Sequence, residues 1–122
     1  MDSSTDEDLS EDQIFDLLSA SRRRAVLRLL AERDGEMSFA NLTNEITARE
    51  YGADGDAGRR KTVYVSLYQT HVPKLVDAGV LTHDDDTKMV ALTGPWRQLV
   101  AYLEFDPNES TGLLSRVLGR TE

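Results

Sequence analysis

Residues 59–81 read RRKTVYVSLYQTHVPKLVDAGVL. On a wheel of about 100° per residue, Val65, Tyr68, Val72 and Leu75 share one side, with Tyr64 at its edge. Thr62, Ser66, Gln69 and Thr70 fall on the polar side, with Arg59 close to them. The pattern predicts an amphipathic helix of about twenty residues that ends at Gly79. Pro73 lies inside it. Its ring removes one backbone donor and predicts a kink that leaves the carbonyl of Gln69 without its usual partner.

Upstream, GADGDAG at 52–58 puts three Gly and two Asp into seven residues, which predicts an acidic loop. It is no phosphate loop, because neither the preceding strand nor the following Lys-Ser/Thr is there. Before it, Ser38 predicts the cap of a helix with Phe39, Leu42 and Ile46 on one face, fading at Tyr51 and Gly52. Ser21 predicts the cap of another, with Ala25, Val26, Leu29 and Leu30 at helical spacing and Gly35 as its stop. Ser10 and Gln13 form a capping box ahead of Ile14, Phe15, Leu17 and Leu18. Residues 1–9 offer almost nothing to bury and are expected to be disordered.

Downstream the rhythm changes. VLTHDDDTKMVALT at 80–93 predicts two short strands around an Asp-rich turn. Gly94 and Pro95 end the second, and Trp96, Leu99, Val100 and Leu103 recur at helical spacing. Asp106, Pro107 and Asn108 stop that helix, and 109–118 predicts a last amphipathic segment built on Leu113, Leu114, Val117 and Leu118. The fold expected is mostly α with a small β-hairpin, and no internal repeat is visible.

The chain has 122 residues, enough for one core, which predicts a single domain over 10–93 and a helical extension over 94–122. Cysteine is absent, which excludes disulfides, thiolate metal sites and cysteine nucleophiles. With His71 and His83 the only histidines, no metal centre is expected, and His83 beside Asp84, Asp85 and Asp86 reads as a solvated turn. No apolar run nears the roughly 20 residues that span a bilayer. The acidic start lacks the basic and apolar regions of a signal peptide. A cytoplasmic location is therefore expected.

Charge is uneven along the chain. The net charge is −8, and only three of the fourteen cations are Lys. Such a carboxylate-rich, Lys-poor surface suits a protein of salt-loving archaea, where net charge keeps a chain solvated in concentrated salt. Residues 1–20 carry seven acids and no base, yet residues 21–33 carry five Arg against one Glu. Residues 59–74 hold Arg59, Arg60, Lys61 and Lys74 with no acid. Two positive islands thus sit in a negative chain, and for nucleic acid local sign matters more than the total.

THVPKLVDAGVL at 70–81 resembles the end of the recognition helix and the start of the wing in ArsR-like regulators: a His, an apolar residue, Leu, then Ala-Gly and two apolar residues. LLSASRRRAVLRLL at 17–30 resembles their opening helices. As a whole the chain resembles small winged-helix proteins of haloarchaea. The resemblance covers 10–93 and implies a winged helix-turn-helix fold with a recognition helix over about 59–78. Three features differ from that pattern. The turn before the recognition helix is long, the wing tip carries Asp84, Asp85 and Asp86, and the metal-binding cysteines of arsenic sensors have no counterpart.

Two functions follow as expectations. One is a homodimeric transcriptional regulator that binds double-stranded DNA. Arg59, Arg60 and Lys61 would meet phosphate at a helix start. Thr62, Ser66, Gln69 and Thr70 would face base edges. Lys74, Arg22 and Arg23 would touch the DNA backbone, or else Arg22, Arg23 and Arg24 pair with Asp12 or Asp16 of the first helix. The dimer would form on Trp96, Leu99, Val100 and Leu103, where apolar surface exceeds what a small monomer hides. The other expectation is a protein-interaction module that keeps the scaffold and uses the acidic wing. Nothing resembles a nucleophile elbow or a paired-carboxylate site, so neither an enzyme nor a cofactor is expected.

Overall fold

The computed structural model describes residues 8–104. Ser10 opens α1 (Glu11–Leu17) with the expected capping box: its hydroxyl accepts the Gln13 N–H at 3.1 Å, and the Gln13 side chain accepts the Ser10 N–H at 2.8 Å. In α2 (Ser21–Glu32), Ser21 is the first helical residue rather than the cap. Ala20 holds the cap position without a side-chain hydrogen bond. Gly35 ends the turn beyond α2 at φ 92°, its N–H reaching the Leu30 carbonyl at 2.7 Å.

A strand unforeseen in the sequence follows, β1 (Glu36–Ser38). Three residues are too few to display alternation, and what defines the strand is its partner. Met37 lies opposite Val90 of β3 (Met89–Leu92), which also pairs with β2 (Leu81–His83). The sheet is antiparallel in the order β1-β3-β2, so the predicted hairpin gains a third strand from between two helices. Ser38 ends β1 and caps α3 (Phe39–Tyr51) through the Asn41 N–H at 3.1 Å. Inside α3 the buried hydroxyls of Thr43 and Thr47 donate to the carbonyls of Phe39 and Thr43, so neither is left unsatisfied.

The core gathers Val26, Leu27, Leu29 and Leu30 of α2 with Leu42 and Ile46 of α3 and Val90 of β3, all fully buried. The last helix, α6 (Trp96–Glu104), joins the same core against α2, with Leu99 at 0% and Leu103 at 4% exposure. Two of the four residues expected at an interface are thus already buried within the chain. Leu99 and Leu103 are filled positions of the chain's own interior, and Trp96 and Val100 pack half-buried at its margin. The turn into α6 needs Gly94, where a Cβ would stand 2.2 Å from the Gly79 carbonyl oxygen.

Asp8 and Leu9, expected in the disordered stretch, are held to α6. Gln98 accepts the Leu9 N–H at 2.8 Å and donates to the Asp8 carboxylate at 2.9 Å. Residues 1–7, Phe105 and the predicted 109–118 segment with Leu113, Leu114, Val117 and Leu118 lie outside the described residues. Among the described residues no helix is long and apolar enough to cross a membrane. The architecture is a mostly helical domain with a small three-stranded antiparallel sheet.

Candidate nucleic-acid interface

The long helix forms where the sequence predicts it, but not with one phase. It runs as α4 (Ala57–Ser66), a π turn (Leu67–His71) and α5 (Val72–Asp77). Val63, Leu67, Val72 and Leu75 are buried, at successive spacings of four, five and three. A regular helix would turn Val72 away from the side that holds Val63 and Leu67. The π turn adds the extra residue that brings it back, and the Val72 N–H closes the wide ring on the Leu67 carbonyl. Pro73, one position later, has no N–H to give the Gln69 carbonyl, so the regular ladder is already broken there. A single-phase wheel therefore misassigned Val65 and Tyr68. They are exposed by 38% and 48%, and Val63 and Leu67 take the buried side.

In α4, Val65 lies about 180° around the axis from the midpoint of Val63 and Leu67. It is thus the apex of the outward face. Lys61, Thr62, Val65, Ser66, Gln69 and Thr70 line a shallow hollow of about 440 Å³ there, which brings together five of the predicted base- and phosphate-facing residues. Tyr64 and Tyr68 occupy the flank toward α3 and the hairpin. Their rings are parallel with centroids 5.9 Å apart, and both meet Phe39 edge-on at 5.1 and 5.8 Å. His83 of β2 stacks on Phe39 at 5.0 Å and meets Tyr68 edge-on. This cluster fastens the hairpin beside the long helix.

The predicted cations fare differently. Asp56 caps α4 and accepts the Arg59 N–H at 2.9 Å, so a carboxylate of the chain already holds the helix start that was expected to meet phosphate. The Arg59 side chain is exposed, donates to the Asp54 carbonyl and lies over the Tyr51 ring at 5.1 Å. Arg60 turns to the Asn44 side chain of α3. Lys61 is exposed and makes no hydrogen bond or ion pair among the described residues. Lys74 faces the other way and pairs with Asp16 of α1 at 2.9 Å, and this hydrogen bond holds the Asp16 carboxyl below its ordinary range.

Arg22 and Arg23, expected on the DNA backbone or in salt bridges to Asp12 or Asp16 of the first helix, have other partners. Arg22 makes a two-pronged pair with Glu50 of α3 at 2.7 and 2.8 Å. Arg23 is 6% exposed and donates to the carbonyls of Leu17 and Asp16, to the Ser19 hydroxyl and to His71 Nδ1 at 3.0 Å. Arginine has no acceptor, so Nδ1 must accept and the His71 proton sits on Nε2. Burial, then the nearby charge of Arg23, holds His71 below its ordinary pKa. The local sequence gives no hint of this, because the partners come from the end of α1 and from a helix 48 positions on.

At the hairpin tip Asp84 accepts the N–H groups of Asp86 and Thr87, which lowers its pKa and shapes the turn. Among the described residues no cluster of three His, Asp or Glu is placed to hold a metal ion. Sequence reasoning missed Val65 as a member of the outward face. Only the Leu67-to-Val72 spacing beside Pro73 hinted at the phase change.

No curated protein and no solved structure matches the chain at a significant level. A family match does exist, and it spans α1 to β3, leaving out α6. With residues 15–91 matched, the chain belongs to the family described as a domain of unknown function, DUF7344.

Proposed function

We propose that this chain is a winged helix-turn-helix regulator that binds double-stranded DNA. The order α2, β1, α3, long helix, β2, β3, with the hairpin beside the long helix, supports the winged-helix reading. One observation carries the function: the outward face of the long helix gathers Lys61, Thr62, Ser66, Gln69 and Thr70 around one hollow, opposite the side that fills the core. In the major groove that face puts hydroxyls and an amide at base edges, with Lys61 and Arg59 toward phosphate.

A homodimer belongs to this reading, on a surface shifted from the predicted one. Phe15 of α1 and Tyr102 of α6 are 55% and 42% exposed and touch edge-on at 6.0 Å. Two copies joined there would offer two long helices to successive half-sites. The acidic hairpin tip favours the second reading, a protein-interaction module, since Asp84, Asp85 and Asp86 repel phosphate.

The test is binding by fluorescence anisotropy to duplexes selected from a random pool in molar KCl. Arg59→Ala with Lys61→Ala should weaken binding on every sequence and flatten the salt slope. Gln69→Ala should cost about 1–3 kcal/mol on the selected site alone. Selection of no duplex, or variants that bind as the wild type does, would overturn the DNA reading.

A further inference from the structure

Val65 is the odd member of the outward face. A valine at the apex of a surface helix gains nothing from solvent, and every other lining residue of its hollow is polar. Lys61 and Gln69 lie one turn before and after it, and Thr62 and Ser66 stand beside it. The lining of the hollow thus has an apolar point between a cation one turn before it and an amide one turn after it.

Among the groups exposed in a DNA major groove, the thymine 5-methyl is the apolar one, and adenine N6 and N7 match a carboxamide bidentately. The cation suits the phosphates that border the groove. We infer that Val65 reads a thymine methyl and Gln69 an adjacent adenine, making an A·T step in each half-site the preferred target. This rests on the DNA-binding reading and deepens it. Lys61, the cation of the hollow, suits a nucleic-acid phosphate, and an apolar contact at Val65 selects DNA bearing the thymine methyl.

The test uses the full chain and its selected duplex in molar KCl, with deoxyuridine replacing each thymidine in turn. That exchange removes only the methyl. For the wild type, one thymidine position per half-site should lose about fourfold in affinity, the scale of one buried methyl. Val65→Ala, which keeps helix propensity, should bind the thymine and uracil duplexes alike at that position. Gln69→Ala should lose its preference at the neighbouring base pair and stay sensitive to the methyl. Uniform tolerance of uracil, or equal sensitivity in Val65→Ala, would overturn the inference and leave DNA binding standing. If no duplex is selected at all, the DNA-binding reading fails first and the inference with it.

Discussion

Arg23 and His71 illustrate how single residues in this chain trade one role for another. An arginine in a run of three reads as surface charge, yet Arg23 is an interior cross-link that satisfies two carbonyls at the end of α1 and one imidazole of the long helix. Arg23→Met should therefore lower stability by about 1–3 kcal/mol in urea unfolding, because the carbonyls and Nδ1 lose their donors. His71 supplies a pH dependence. Its folded pKa lies below the ordinary 6.5, so the unfolded chain binds the proton first. Stability from this group is complete above about pH 7 and declines as pH falls through 6.5 toward the lower folded value. His71→Gln, which keeps an acceptor and does not titrate, should flatten the slope that sets in as pH falls below about 7. A slope unchanged by the substitution would exclude His71 as its source. Asp16 and Asp84 act in a separate window: their lowered pKa values withdraw stability only as pH falls below the ordinary 3.8.

The elements were legible to different degrees, for physical reasons. Helix starts at Ser10 and Ser38 were readable because caps are local chemistry within three residues. The hairpin was readable because Asp84 to Thr87 interrupt two apolar runs. β1 was not, since three residues become a strand only by pairing with β3, more than fifty positions away. The inside of the long helix was half legible: its limits followed from composition, its phase did not, because the π turn depends on how Val72 and Leu75 reach the core. The wheel placed Thr62, Ser66, Gln69 and Thr70 on the outward side, the basic run supplied Lys61, and the single phase hid Val65. Deleting Thr70 together with Pro73→Ala converts spacings of four, five and three into four, four and three, which a regular helix buries on one side. The double change should retain cooperative thermal unfolding. A chain that no longer folds would contradict the view that the π turn only restores phase.

At the scale of the whole molecule, the charge of −8 is spread over a surface with few lysines. Repulsion among carboxylates weakens with screening, whose length falls from about 10 Å at 0.1 M salt to about 3 Å at 1 M. The proposed halophilic adaptation predicts a Tm that rises steadily from low salt to molar KCl, and a flat or falling trend would contradict it. That surface also sets the difficulty of the proposed function, since DNA must approach one hollow on a chain whose hairpin tip carries Asp84, Asp85 and Asp86. The most direct measurement is an NMR titration of the labelled chain with its selected duplex in molar KCl. The largest shifts should fall on Lys61, Thr62, Ser66, Gln69 and Thr70 and on the Val65 methyls, leaving Arg23, Leu99 and Leu103 unmoved. Shifts centred on Asp84 to Asp86, or on Phe15 and Tyr102 with the long helix silent, would contradict the assignment of its outward face as the DNA-reading surface.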